Sequence, residues 1–188
     1  MQDLSKFTLP PDFRGRGAFV CQLWWLVQAL FFATSPQFMY RWRVFLLRLF
    51  GADIGCNVII RPSARITYPW KLSIDDNSWI GDQVELYNLA EISIGKNSVI
   101  SQRSYICTGS HDHSKLDFPI YAKPIAISDS VWLATDVFVA PGITIKKNVV
   151  VGARSSVFQD LAENCIYMGS PARYVKSRTA SSESSPTI

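Results

Sequence analysis

The 188-residue chain has only two histidines, His111 and His113, and both lie in one short segment, CTGSHDHSKLDFPIYAKPIA. Histidine is the side chain whose charge changes near neutral pH, which makes it the natural carrier of a proton in transfer chemistry. Either imidazole could serve as a general base, with Asp112 between them as a carboxylate that could orient one. A zinc site of the three-histidine kind needs one more imidazole than the chain has, so no metal is expected. Four cysteines, Cys21, Cys56, Cys107 and Cys165, lie far apart with no CxxC, the pattern of reduced thiols in a cytoplasmic protein. Cys107 sits next to the histidine segment but has no paired base in the sequence, so it is not expected to be a nucleophile.

A proton carrier needs a rigid frame, and the flanking sequence supplies one by repetition. Aliphatic residues recur every six positions: Ile54, Ile60, Ile66; Ile74, Ile80, Leu86; Ile94, Ile100, Ile106. The pattern stops, then resumes with Ile127, Leu133, Val139, Ile145, Val151 and Val157. Ile, Leu and Val make up 45 of the 188 residues. Chance would fill all these positions with odds of roughly one in 10⁹. Four positions after each aliphatic comes Ser, Ala or Val, except at Trp70, Ile143 and Leu161. A turn former often follows directly, as in Ile54-Gly55, Ile74-Asp75, Ile94-Gly95 and Val151-Gly152. Period six fits neither a helix nor an ordinary alternating strand; it predicts a solenoid of short strands and corners, three units to a coil. The aliphatics point inward, the small residues fit the corners, and Gly, Asn and Asp suit the turn dihedrals. Both histidines fall where the repeat breaks, between Ile106 and Ile127, and a loop leaving a rigid solenoid is a common place for chemistry.

Residues 1–50 differ in character. No charged residue lies between Arg16 and Arg41, yet Gln22, Gln28 and Ser35-Pro36 interrupt the apolar run, which argues against a membrane span. No small-residue cleavage site follows it, which argues against a secretory signal. Two helices are expected, about 17–33 and 36–50. The second is basic and amphipathic, with Arg41, Arg43 and Arg48 beside Trp42, Phe45, Leu46, Leu49 and Phe50, a pattern that can lie in a membrane interface or pack on the core. The net charge of +4 is dispersed and lacks the stripe that nucleic-acid binding requires. The polar tail from 177 to 188 reads as disordered. The expected division is a helical segment 1–50, a solenoid 51–176 with an active-site loop 107–126, and the tail.

The repeats, the Thr108-Gly109-Ser110-His111 segment, the turn Ala140-Pro141-Gly142-Ile143-Thr144 and the closing Gly169-Ser170-Pro171-Ala172-Arg173 resemble the hexapeptide-repeat acetyltransferases. The aromatic N-terminal QLWWLVQ, RPSARITYPWKL and ICTGSHDHS are most similar to colanic-acid-type exopolysaccharide acetyltransferases. The resemblance covers about residues 13–176. It implies an all-β left-handed parallel β-helix, against the usual right-handed crossover rule, assembled as a homotrimer with active sites between subunits. It implies O-acetyl transfer from acetyl-CoA to a sugar hydroxyl, with His111 as the base and no acyl-enzyme. It places acetyl-CoA against Ala134, Thr135, Ala140, Gly152, Ala153, Arg173 and Lys176, with an oxyanion donor N–H near Ala134-Thr135. A sugar acceptor would draw on Asp82, Glu85, Tyr87 and Asn88. The asparagine that galactoside acetyltransferases use falls nearer Gly81, which favours a lipid-linked or polymer-bound sugar over a simple galactoside.

Three other readings compete. A γ-carbonic-anhydrase-type metal enzyme shares the prism but needs the missing histidine. A non-catalytic trimeric scaffold would not require the loop histidine. Transfer to nitrogen, on an amino sugar or small amine, differs only in the acceptor.

Overall fold

A computed structural model describes residues 2–178. From Asp53 onward the chain winds a left-handed parallel β-helix of about six coils. Its first face stacks Asp53–Ile54, Leu72–Ile74, Ile92–Ile94, Ile125–Ile127 and Thr144–Ile145. The second stacks Ile59–Ile60, Trp79–Ile80, Val99–Ile100, Trp132–Leu133, Val150–Val151 and Cys165–Met168, and closes with the antiparallel strand Arg173–Ser177. The third stacks Arg65–Ile66, Glu85–Tyr87, Tyr105–Cys107, Phe138–Val139 and Ser156–Val157.

The register places each repeat aliphatic on its equivalent, as in the column Ile54, Ile74, Ile94, Ile127, Ile145. None of these inward residues is more than 4% exposed. Burying each stabilises the fold by about 2 kcal/mol before chain entropy is counted. The corner serines do more than fit. Ser78 Oγ donates to the Gly95 carbonyl at 2.8 Å and accepts from the Ser98 N–H at 3.0 Å. Ser98 and Ser104 repeat this bridge one coil on. Left-handed backbone occurs at the corners mostly on residues other than glycine, among them Asn57, Asn77, Asn97, Asn148 and Asn164, with Gly142 an exception. Gly55 and Gly95 serve another need: a Cβ there would collide with the carboxylates of Asp76 and Asp129 in the following coil.

The extra residues of the early coils share one place. Ile66 to Ile74 and Leu86 to Ile94 take eight steps where Val139 to Ile145 takes six. Each excess falls at the corner between the third and first faces. The segment between Ile106 and Ile127 emerges at that same corner, so it is the largest member of one series.

The N-terminal helices appear as α1, Ala18–Val27, continued by a π-helical turn Gln28–Phe32, and α2, Tyr40–Leu49. Pro36 separates them, since proline removes a helical donor and restricts the residue before it. They close the open end of the solenoid. Coil-to-coil bonds run from each coil's N–H groups to the carbonyls of the next. The first coil's own inward-position carbonyls therefore lack partners, and the helices supply them. Arg48 Nε donates to Ile54 O at 3.0 Å, Arg43 Nε to Ile60 O at 2.6 Å, and Trp24 Nε1 to Ile66 O at 2.8 Å. Gln28, which reads in the sequence as an interruption, accepts the Ile66 N–H at 2.8 Å.

Arg43 is fully buried. Among the described residues no carboxylate pairs with it. Its other donors reach Ser35 Oγ, Pro36 O and Gln37 O at 2.6–2.9 Å. Burial pulls its pKa down from the ordinary guanidinium value, and the Tyr40 ring, 5.1 Å away, opposes that shift. Two expectations need correction here. Residues 2–16 are a non-helical arm, with one 3₁₀ turn, Leu4–Lys6, and a run of turns over 11–16, and not part of an α-helix. At the other end Ser177 belongs to the last strand and Arg178 Nη1 donates to Ser130 O at 2.8 Å, so the ordered unit outruns residue 176. The remainder of the expected tail, 179–188, lies outside the described residues.

Arg43→Met keeps the bulk but leaves four acceptors without their donor, of which the Ile60 carbonyl and Ser35 Oγ are in buried bonds. It is expected to lower stability by about 3 kcal/mol, whereas Arg41→Met on the exposed side should stay within about 0.5 kcal/mol. Urea unfolding followed by circular dichroism distinguishes the two.

Candidate active site

The segment expected as a loop over 107–126 is mostly a hairpin. Cys107 still belongs to its third-face strand, and Ile125 already begins the next first-face strand. Between them Gly109–His111 pairs antiparallel with Ile120–Ala122, His111 opposite Ile120. The Thr-Gly-Ser-His text now has a physical reading. Thr108 Oγ1 donates to Tyr87 O at 2.8 Å and accepts from the Ala90 N–H at 3.0 Å, which fastens the hairpin base to the coil below. Gly109 passes so close to that coil that a Cβ would sit 2.6 Å from Leu89 Cδ1 and 3.1 Å from Tyr87 Cε1. Any larger residue would require the Leu89 side chain or the hairpin to shift.

His111 is half-buried and its imidazole is held on two sides. Nδ1 lies 2.9 Å from Phe118 O. A carbonyl only accepts, so in the neutral ring Nδ1 carries the proton and Nε2 keeps its lone pair. The Phe118 ring stacks on the imidazole at 4.4 Å and 8°. Phe118 has φ +46°. That is left-handed backbone, which a bulky residue adopts only where its surroundings enforce it. The turn aims the Phe118 carbonyl at His111. Phe7 of the N-terminal arm also approaches the imidazole, to 6.0 Å between ring centroids.

Asp112 does not orient either imidazole. Its carboxylate accepts from Ser114 Oγ and Ser114 N–H, at 2.5 and 3.0 Å, and these bonds hold it below the usual carboxylate range. It shapes the hairpin tip, while a backbone carbonyl does the orienting. His113 is exposed at that tip. Cys107 is buried and its thiol donates to Gly109 O.

The expected acceptor residues are scattered. Asn88 is fully buried; its amide bonds Tyr68 N–H, Tyr68 O and Lys71 O, so it braces the corner and cannot meet a ligand. Asp82 lies at the corner between the second and third faces, away from the hairpin. Burial raises its carboxyl, but hydrogen bonds from Arg61 Nε and Ser63 Oγ together hold it below the usual range. Glu85 faces outward on the third face. Tyr87 alone of the four lies under the hairpin, with its phenol pushed up by burial.

The expected cofactor residues divide between corners. Ala134, Thr135, Gly152 and Ala153 follow second-face strands, at the corner between the second and third faces. Ala140 follows a third-face strand, at the corner that also bears the hairpin. The Ala134 N–H is already spent on Val151 O at 3.0 Å, and among the described residues the Thr135 N–H has no partner within the chain. Arg173 and Lys176 are exposed on the closing strand, where the Gly169-to-Arg173 motif caps the solenoid. Ala172 is 3% exposed and fills its base, and Gly169 takes φ +99°.

No family model matches the chain. Individual relatives do. Over 178 residues the chain is 62% identical to an Escherichia coli protein named for colanic acid biosynthesis as the acetyltransferase WcaF, covering 95% of this chain and 98% of that one. A maltose O-acetyltransferase from Clostridium difficile superposes with a TM-score of 0.79 at 26% identity, over 87% of this chain and 90% of the other. A hexapeptide-repeat acetyltransferase from Vibrio cholerae, solved with acetyl coenzyme A, shares the fold with a TM-score of 0.78 at 24% identity, over 88% and 92%. With the hairpin histidine, the stacked hexapeptide coils and near full-length identity of this order, the chain belongs to the hexapeptide-repeat acetyltransferases, in the branch that holds the colanic acid biosynthesis enzyme.

Proposed function

We propose that the protein transfers acetyl from acetyl-CoA to a hydroxyl of a sugar in exopolysaccharide biosynthesis, with His111 as the general base. The observation that carries this is the free Nε2 of an imidazole whose Nδ1 is fixed on the Phe118 carbonyl. Nε2 removes the proton from the acceptor hydroxyl as its oxygen attacks the thioester carbonyl. The tetrahedral intermediate collapses, the C–S bond breaks, and the imidazolium returns its proton to the leaving sulfur, giving the acetyl ester and free CoA. Both substrates are held together, so placement lowers the barrier alongside proton transfer. The unspent Thr135 N–H suits the oxyanion, and Arg173 and Lys176 suit the cofactor's phosphates.

A homotrimer makes this arrangement possible. His111 and the Thr135–Gly152–Ala153 corner belong to different edges of one prism, with a whole face between them. A neighbouring copy brings its corner to the hairpin. The intervening face carries a partly exposed aromatic row, Tyr105, Phe138 and Phe158, with ring centroids 5.7–6.0 Å apart, suited to burial between subunits.

The acceptor fits a lipid-linked sugar used at the inner face of the cytoplasmic membrane. No helix among the described residues is long and apolar enough to cross a membrane. Yet α1 and its π-turn present Phe19, Leu23, Leu26 and Leu30 outward, on one stripe at helical spacing, and α2 adds Phe45 and Leu49. Phe19 is 78% exposed. Between Asp12 and Asp53 there is no acidic residue, and Arg14, Arg16, Arg41 and Arg48, unlike the buried Arg43, can complement an anionic surface.

Acceptor-dependent thiol release from acetyl-CoA, with nucleotide-, lipid- and oligosaccharide-linked sugars, tests the chemistry. His111→Ala is expected to lower kcat/KM by ~10²–10⁴, with little change in His113→Ala or Asp112→Asn; an undiminished His111→Ala rate removes it as the base. Vesicles containing phosphatidylglycerol should co-sediment the wild type, and Phe19→Glu with Leu26→Glu should abolish this. Equal sedimentation of that double variant would exclude the α1 face as the membrane contact.

A further inference from the structure

The N-terminal arm is pinned at both ends against the catalytic corner. The Asp3 N–H donates to Leu116 O at 2.7 Å, at the tip of the hairpin. Trp70 Nε1 donates to Arg14 O and Lys71 Nζ to Phe13 O, each at 2.7 Å, beside the coil below. Between these anchors the arm crosses the side of the hairpin that carries His111. Residues directly opposite in an antiparallel pair project to the same side. His111 and Ile120 are such a pair, and Ile120 packs toward the arm together with Phe13 and Leu89.

Arm, hairpin and coil enclose an open cleft of about 520 Å³, walled by Pro10, Phe13, Leu89 and Ile120, with Lys71 and Glu91 among its polar groups. Ile120 lines it, so the cleft begins one side chain from the imidazole. Two of the three Lys71 Nζ donors go to Phe13 O and Leu89 O, which leaves one. Glu91 is exposed. An apolar wall faced by one ammonium donor and one carboxylate acceptor matches a sugar ring, whose faces are C–H and whose rim is hydroxyl. The carboxylate argues against the cofactor's phosphates, which would be repelled by it.

We propose that the N-terminal arm, through Pro10 and Phe13, forms one wall of the acceptor site, and that the cleft it closes holds a pyranose ring of the acceptor with a hydroxyl directed to His111 Nε2. This rests on the sugar O-acetylation reading and adds where the sugar lies. The arm is then a specificity element, acting on acceptor capture and leaving the donor alone. Asp82 and Asn88 have no part in it.

The test compares wild type, a deletion of residues 2–13, which removes both Pro10 and Phe13 from the cleft wall, and Glu91→Gln, which removes a charge from an exposed position. Each is assayed by thiol release at varied acceptor and varied acetyl-CoA, with thermal melts confirming that the solenoid is intact. The expected result is an acceptor KM raised about tenfold in both variants, with the acetyl-CoA KM within about twofold of wild type. A wild type that acetylates sugars while both variants keep its acceptor KM overturns the arm assignment and leaves the sugar reading standing. A rise confined to the acetyl-CoA KM assigns the cleft to the cofactor and also overturns it. A wild type that acetylates only amines, or nothing, overturns the sugar reading and the pyranose cleft together.

Discussion

Each coil of this β-helix turns a row of carbonyls toward its N-terminal side, and the first coil has no coil before it to satisfy them. An open sheet edge of this kind is both a loss of stability and a template for wrong pairing. The chain answers with three side chains for three faces: Arg48 to Ile54 O, Arg43 to Ile60 O and Trp24 to Ile66 O. The guanidiniums and the indole stand in for the backbone N–H groups of a missing coil. Terminal repeats of a solenoid must differ from internal ones for this reason. The composition of residues 13–52 follows. They must be apolar enough to seal the core end, and the buried Arg43 is bonded to carbonyls and a hydroxyl and, among the described residues, to no carboxylate.

With that end closed, the coils carry their irregular segments, and the proposed catalytic histidine, at one corner. The extra residues in the first two coils and the hairpin of the third all leave between the third and first faces. Thr108 and Gly109 set the hairpin close against Tyr87 and Leu89, and the left-handed Phe118 turns its carbonyl onto His111 Nδ1. The proposed base is therefore set by position: Nδ1 on a carbonyl and a ring stacked on Phe118. A backbone carbonyl fills the place that a carboxylate holds in other triads, so His111 needs no acidic partner to be oriented.

The inward half of the molecule was legible in the sequence because a period of six can be satisfied only by inward aliphatics at regular corners. The hairpin histidine was legible because it marks where that period fails. What lies outward was harder to read. Asp82 and Asn88 looked like ligands for a sugar, but polar type alone does not reveal that Arg61 and Ser63 already hold one and the Tyr68–Lys71 corner the other. Gln28 looked like a flaw in an apolar helix and is a cap. Gly55 and Gly95 looked like turn dihedrals and are points of close approach. The arm over 2–16 was missed because its order comes from contacts such as Asp3 with Leu116, which local sequence cannot encode. The Asp112 side chain satisfies its own turn, a habit of aspartate that competes with any orienting role.

The most direct measurement is the ¹⁵N long-range NMR correlation of the imidazoles, practical because the chain has two histidines and His111→Ala assigns them. In the neutral state His111 should carry its proton on Nδ1, with Nε2 unprotonated and shifted on binding an acceptor hydroxyl. A His111 protonated on Nε2 in the neutral state would leave no lone pair toward the acceptor and would contradict its assignment as the base.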